Sequence, residues 1–303
     1  MTELNLGGFT TEASLEASQN LDQMNAKEIV DLMNREEETV RNAVESASEG
    51  VAVVLERVAE AFAKGGRLFY VGAGTSGRLG LLDASECPPT FGSPPEQVQG
   101  IMAGGLEAFE KAVEHAEDRP EDGASELRRR GLTSEDCVVG ISASGRTPYV
   151  LGALEEARRM GAFTAGIFCN SKATMKTLCD QAIYLATGAE IVTGSTRLKA
   201  GTATKLVLNQ ISTGAMIRSG RVLGNLMISL TPTCEKLVDR SLRILERALN
   251  CSRSEASELL NRAEQSVPVA ILLKRTNLSL EQAKTSLEAE PLNKILQSQA
   301  KDA

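Results

Sequence analysis

The chain has 303 residues, of which 42% are hydrophobic and 24% are charged, and its formal net charge at pH 7 is -7. This length can bury the core of one large domain and still supply a smaller appendage. Acidic and basic residues are interspersed, which argues against a nucleic-acid partner or an anionic membrane surface. An anionic ligand must therefore be held by local groups.

Targeting signals and metal-ligand patterns are both missing from the sequence. It contains no apolar run of about 20 residues, and its start lacks the basic and apolar regions of a signal peptide, so we expect a cytoplasmic protein. The six cysteines form no C-x-x-C pair and are expected to be reduced thiols. His115 is the single histidine, so metal-dependent and histidine-triad mechanisms are disfavoured, and no cofactor is expected.

Hydrophobic periodicity divides the chain into helices and short strands. Helical spacing over residues 25–64 predicts two or three packed helices that stop at Gly65-Gly66. Apolar runs then alternate with helical stretches, which favours an α/β fold with a doubly wound, mostly parallel sheet. The predicted strands are 67–71, 98–102, 137–141, 162–168 and 181–185.

The remaining residues predict a long helix, a strand and a small helical module. The helix covers 199–218, the strand 225–230, and a further helix 234–249. From Cys251 onward we expect a UBA-like module of three helices, with Ser252, Ser254 and Ser279 as caps and Pro268 near a helix start. The predicted domains are an N-terminal helical segment (1–57), a sheet domain (58–249) and this module (250–303).

Two small-residue turns follow predicted strands and precede helices. Glycines allow close approach of an anion, helix N-termini offer unpaired N–H groups, and hydroxyls add donors, so both turns predict a phosphate site. The candidate phosphate-binding residues are Gly74, Thr75, Ser76, Ser142, Ser144, Gly145, Arg146 and Thr147. The first turn also reads G-x-G-x-x-G, but the next strand lacks the terminal acid of a dinucleotide fold. Ordinary tight turns remain the alternative.

Glu86 is the first candidate for acid–base chemistry. Because the residue before a proline avoids the α region, the helix after the first turn is predicted to end at Cys87-Pro88-Pro89. A partly buried Glu86 at that helix C-terminus would be favoured in its protonated form, as a general acid requires. The alternative is a solvated surface glutamate.

A second acidic cluster follows Gly104-Gly105. Spacings of four and three put Glu110, Glu114 and Glu117 on one face of a predicted helix. The spacing does not decide which of them enters a cleft, and a solvated face is the alternative. His115 is interpreted as structural because it lacks a spaced ligand or triad partner.

The segment 188–205 combines a glutamate, several hydroxyls and three cations before a long helix. Such a segment can hold a phosphate or carboxylate and donate hydrogen bonds to a sugar. Its candidate binding residues are Glu190, Ser195 and Lys199. An ordinary charged loop is the alternative.

Three stretches together resemble a known family. VGAGTSGRLGLLDASECPPTFG, GISASGRTPYV and GAEIVTGSTRLKAGTATKLVLN are similar to the N-acetylmuramic acid 6-phosphate etherases, relatives of the glucokinase regulatory protein with the sugar isomerase (SIS) fold. The similarity covers about residues 20–287. It implies a homodimer that recycles bacterial cell-wall sugars, and it implies Glu86 and Glu117 as the catalytic pair; only the resemblance prefers Glu117 to Glu114.

Two other functions are compatible with these residues. A phosphosugar aldose/ketose isomerase also begins by removing the proton on carbon 2. A non-catalytic sugar-phosphate sensor, like the regulatory protein, would bind a partner kinase and could dispense with the acid pair. The expected partner in each case includes a small phosphosugar.

Overall fold

A computed structural model describes residues 10–299 apart from Ala112, Thr231 and Thr233. Residues 1–9 of the predicted N-terminal segment and 300–303 of the predicted module lie outside the described residues. The described chain forms two compact units. The first contains residues up to 85 and 95–214, and the second contains 86–94 and the residues from 215 onward. These limits differ from the predicted boundaries after residues 57 and 249, and the three-domain division stays a prediction.

A parallel sheet forms the centre of the first unit. Within the described residues it has five strands in the order β2-β1-β3-β4-β5, and every neighbouring pair is parallel. The strands are β1 (Leu68–Gly72), β2 (Val98–Met102), β3 (Cys137–Ile141), β4 (Phe163–Phe168) and β5 (Gln181–Tyr184). The predicted α/β class is confirmed, and the predicted strands agree within about one residue.

Burial on both faces explains why these strands read as continuous apolar runs. All five residues of β1 and of β3 are buried, as expected for the centre of a parallel sheet covered by helices. Phe69, Val138 and Leu154 belong to one core cluster on a helix-covered side of this sheet. The helices of this unit are α1 (Ala26–Ser46), α2 (Ser48–Ala63), α3 (Gly74–Phe91), α4 (Glu107–Glu110), α5 (Pro120–Arg129), α6 (Pro148–Arg159) and α7 (Lys199–Arg218), of which α3 and α7 also extend into the second.

The predicted end of α3 is wrong. The helix continues through Pro88 and Pro89 to Phe91. The prolines remove only two backbone N–H donors near the end of the helix. The last turn is closed by the Gly92 N–H, which donates to the Pro88 carbonyl at 2.9 Å. Gly92, with φ +58°, then ends the helix. Glu86 therefore lies inside α3, more than a turn before its end, and the helix-terminus argument for its protonation does not hold.

The predicted acidic helix is also wrong. Helix α4 has four residues, Lys111 is extended, and His115 has a left-handed backbone (φ 60°) before a 3₁₀ turn at Ala116–Asp118. The helix ends because the backbone of Lys111 is extended, and the Arg78 guanidinium donates hydrogen bonds to the carbonyl oxygens of Ala108 and Phe109 at 2.8 and 2.9 Å. Glu110, Glu114 and Glu117 therefore do not share one helix face.

The second unit is mainly helical. A short antiparallel pair, β6 (Val222–Leu223) and β7 (Leu226–Met227), replaces most of the strand predicted at 225–230. Ser252 and Ser279 cap helices as predicted, each in a capping box, and Pro268 lies at a helix start. The predicted cap at Ser254 is wrong, because Ser254 lies inside the helix that Ser252 caps. The described residues after Cys251 form four helices rather than three. These four are α9 (Arg253–Arg262), α10 (Val267–Arg275), α11 (Leu280–Ala289) and α12 (Leu292–Gln299), and α8 (Glu235–Leu249) precedes them.

None of the helices in the described part of the chain combines the length and apolar character needed to cross a bilayer.

A buried ion pair joins the start of β1 to the loop before β3. The Asp136 carboxylate, 1% exposed, accepts hydrogen bonds from the Arg67 side chain and backbone and from Thr133. Burial alone would raise the pKa of Asp136, but the bonds from Arg67 and Thr133 outweigh it and hold that pKa below its usual 3.8.

We predict that Asp136→Asn lowers the free energy of unfolding by about 2–3 kcal/mol, because a buried charged hydrogen-bond acceptor is lost. The depressed pKa of Asp136 means that its stabilisation is present above about pH 3.8 and is lost as the pH falls further. Urea unfolding at pH 7 and at pH 3 measures both effects. The exposed Asp22→Asn is the control; equal stabilities of the two variants at pH 7 would contradict the prediction.

Candidate functional site

An open cavity of about 220 Å³ lies at the carboxyl ends of β1 and β3. The strand order reverses between these two strands, and ligands of open α/β sheets bind at such switch points. The described residues that line it come from the turns after β1 and β3, the start of α7 and three shorter segments. They are Thr11, Glu12, Ala73, Gly74, Thr75, Ser76, Leu79, Glu117, Ser142, Ala143, Ser144, Thr147, Gly194, Thr196, Ala200, Gly201 and Thr204.

The first wall of the cavity is the turn between β1 and α3. Gly74, with φ +53°, begins α3 and is followed by Thr75 and Ser76 in its first turn. The first N–H groups of a helix have no partner within the helix, so this wall presents N–H donors, hydroxyls and the positive end of a helix dipole. The turn is tight because a Cβ on Gly72 would lie 2.6 Å from the nitrogen of Gly77.

The second wall is the turn between β3 and α6, where three hydroxyls form one cluster. Ser142 Oγ lies 2.8 Å from Thr147 Oγ1 and 3.2 Å from Ser144 Oγ. The Gly145 N–H donates to Ser142 Oγ at 3.1 Å, and its φ of +67° lets the chain reverse there. Gly145 and the exposed Arg146 shape this turn but do not line the cavity.

The third wall is the start of α7. Glu190 is fully buried, and its two carboxylate oxygens accept hydrogen bonds from the backbone N–H groups of Lys199 and Ala200, both at 3.0 Å. The ammonium of Lys199, 2% exposed, lies 2.6 Å from Glu36 Oε2 of α1. Glu190 and Lys199 therefore fix the first turn of α7, and neither lines the cavity.

The remaining sequence candidates are distributed unevenly around this cavity. Glu117 lines it from the 3₁₀ turn that precedes α5. Ser195 does not line it, although its neighbours Gly194 and Thr196 do. Glu86 is exposed and is not among the described lining residues, so the partial burial expected from the sequence is wrong for the single chain. The binding and catalytic roles of all these residues stay predictions.

Several lining residues escaped the sequence analysis. Thr11 and Glu12 line the cavity but belong to an N-terminal segment for which the sequence analysis predicts no site. Ala200, Gly201 and Thr204 follow Lys199 at helical spacing, so the long-helix pattern could have indicated one shared face. Thr11 and Glu12 gave no comparable signal, because their proximity to the cavity arises only from tertiary packing.

Among the residues that the structure describes, no three or more His, Cys, Asp or Glu side chains form a group that could hold a metal ion. The expectation of a metal-free mechanism stays a prediction.

Comparisons with known proteins give the family. A model of the glucokinase regulatory protein N-terminal SIS domain matches residues 50–158, and a SIS domain model matches 122–213. An N-acetylmuramic acid 6-phosphate etherase of Aliivibrio fischeri (strain MJ11) is 49% identical over 94% of this chain and 95% of its own. One of Bacillus cereus (strain ATCC 10987 / NRS 248) is 52% identical over 88% of this chain and 91% of its own. The chain belongs to the N-acetylmuramic acid 6-phosphate etherase family.

Membership of the etherase family confirms the resemblance predicted from the three sequence stretches, and the SIS models confirm the predicted fold class. Among solved structures, the phosphoheptose isomerase GmhA from Neisseria gonorrhoeae is 15% identical, with a TM-score of 0.49 over 63% of this chain and 98% of its own.

The residues after β2 do not match a dinucleotide-binding fold. In a dinucleotide fold an acid at the end of the second strand holds a ribose hydroxyl. Here β2 ends at Met102 and is followed by Ala103, Gly104 and Gly105. The G-x-G-x-x-G pattern of the first turn therefore lacks its usual partner.

Gly145 offers a test of the second turn. A Cβ at this position would lie 2.2 Å from the Cβ of Ala173, and φ is +67°. We predict that Gly145→Ala costs about 1–2 kcal/mol for the left-handed backbone and about 1–3 kcal/mol more for the clash. Gly131→Ala is the matched control, because Gly131 has φ +64° with nothing within 4 Å. Urea unfolding measures both variants, and equal losses would contradict the packing shown here.

Proposed function

We propose that this protein cleaves the D-lactyl ether of N-acetylmuramic acid 6-phosphate, giving N-acetylglucosamine 6-phosphate and D-lactate. The observation that carries the proposal is near full-length similarity to proteins named N-acetylmuramic acid 6-phosphate etherase, one of which is 49% identical over 94% of this chain. The cavity supports it, because two hydroxyl-rich turns and two glutamates line the same space.

The phosphate end of the substrate fits the turns after β1 and β3. A terminal phosphate needs several hydrogen-bond donors, and Thr75, Ser76 and the start of α3 offer hydroxyl and N–H groups. Ser144 and Thr147 add hydroxyls from the second turn. Among the described lining residues there is no lysine, arginine or histidine, so oriented dipoles rather than a formal cation would hold the phosphate.

The chemistry needs two acid–base groups and no redox step. The lactyl ether is on carbon 3, beta to the aldehyde of the opened sugar, so removal of the carbon 2 proton allows the carbon 3–oxygen bond to break. Lactate leaves with a proton, and water then adds to carbon 3 while a proton returns to carbon 2. We assign Glu117, which lines the cavity, to the carbon 2 proton.

We assign Glu86 to protonation of the departing lactate oxygen and to delivery of water. This assignment now depends on the family resemblance, since Glu86 is exposed in the single chain and lies inside α3.

We also propose a homodimer that works in the cytoplasm in the recycling of peptidoglycan sugars, as the resemblance implies. A second copy would have exposed apolar side chains to cover, among them Val30 and Met33 on α1, Leu206 on α7, and Leu82 on α3. Glu86 is four residues after Leu82 and therefore on the same face of α3. A partner covering that face would bury Glu86.

We predict that Glu117→Gln lowers the rate of lactate release by about 100-fold or more, the usual contribution of a positioned acid–base group. Glu114→Gln is the matched control, because Glu114 is exposed three residues away and does not line the cavity. An enzymatic lactate assay with the muramyl substrate measures both. Equal rates for the two variants would reject Glu117 as a catalytic residue.

For Glu86→Gln we predict loss of lactate release with retention of carbon 2 proton exchange, because the base would still work while the leaving group would remain unprotonated. The same reaction in D₂O, followed by NMR of the substrate, detects this exchange. Normal lactate production would refute the role of Glu86. A wild type that isomerises hexose 6-phosphates without releasing lactate would instead favour the isomerase alternative.

A further inference from the structure

We propose that Glu12 contacts the sugar part of the substrate, accepting hydrogen bonds from its hydroxyl and amide N–H groups; this inference rests on the proposed etherase function. Glu12 lines the cavity together with Glu117, and these are the two carboxylates among the described lining residues. Glu12 lies outside the three stretches that resemble the family.

The backbone that carries Glu12 is anchored to the sheet unit. Glu12 ends a 3₁₀ turn (Thr10–Glu12) in which the Thr10 hydroxyl donates to the Cys169 carbonyl at 3.2 Å. Thr11, between them, is 1% exposed and also lines the cavity. The turn therefore presents the Glu12 side chain from a fixed position.

The charge of the carboxylate argues against a direct role in phosphate binding. A Cβ built on Gly194 would lie 3.0 Å from Glu12 Oε2, so this oxygen lies beside the loop before α7. A carboxylate next to a phosphate would repel it, whereas hydroxyl and amide N–H groups are donors that an ionised carboxylate accepts. The sugar ring is the part of the substrate that supplies such donors.

The Glu12 carboxylate is also available for a ligand. It forms no hydrogen bond and no ion pair with any residue that the structure describes. Hydrogen bonds to a charged acceptor are stronger than neutral ones, so one or two of them would orient the ring for proton removal by Glu117.

The test is steady-state lactate release by Glu12→Ala and Glu12→Gln, with Glu16→Ala as the matched control. Glu16 is an exposed carboxylate of the same N-terminal segment and does not line the cavity. We expect the KM for the muramyl substrate to rise about 10–100-fold in Glu12→Ala, the loss typical of a charged hydrogen bond, and to rise less in Glu12→Gln, which keeps one acceptor oxygen. The constant for competitive inhibition by inorganic phosphate should stay unchanged, because the phosphate turns are intact.

The outcomes separate the two proposals. Lactate release by the wild type with an unaltered KM in both Glu12 variants would overturn the role of Glu12 and leave the proposed function standing. The role of Glu12 would also be overturned if Glu12→Ala raised the inhibition constant for inorganic phosphate by the same factor as the KM. The substitution would then have damaged the cavity as a whole. No lactate release by the wild type would contradict the proposed function itself.

Discussion

The site depends on the adjacency of β1 and β3, two parallel strands that each end in a turn of small residues. Because both strands run in the same direction, the N-termini of α3 and α6 follow at the same edge of the sheet, beside one cavity. Each turn alone is a weak anion site. Together they surround a space with hydroxyl and N–H donors that are already oriented before a ligand arrives, so little reorganisation is needed on binding.

Buried charges complete this arrangement without entering the cavity. The Glu190 carboxylate occupies the N–H groups at the start of α7, and the ion pair of Lys199 with Glu36 ties the same turn to α1. Removing one partner from a buried pair is costly, so the start of α7 is held firmly. The sequence predicted ligand-binding roles for Glu190 and Lys199 and did not indicate that they bond to the backbone of α7 and to Glu36. Spacing does not identify such partners, because tertiary packing brings them together.

The sequence predicted best those elements in which the hydrophobic periodicity of the residues matches their burial in the fold. The apolar runs of β2 and β3 and the long helix α7 were found with their observed ends. The errors have local causes. The prolines near the end of α3 were interpreted as its C-terminus, and the two Arg78 hydrogen bonds at the end of α4 join residues 30 and 31 apart in sequence. Glu12 was missed because only the folded chain brings the N-terminal segment to the cavity.

The most direct test of the account is the reaction of the wild-type protein with N-acetylmuramic acid 6-phosphate in D₂O, followed by NMR. The account predicts D-lactate and N-acetylglucosamine 6-phosphate carrying deuterium at carbon 2, and far slower reaction of the same sugar without its phosphate. Absence of lactate, or lactate release without deuterium at carbon 2 of the product, would contradict it.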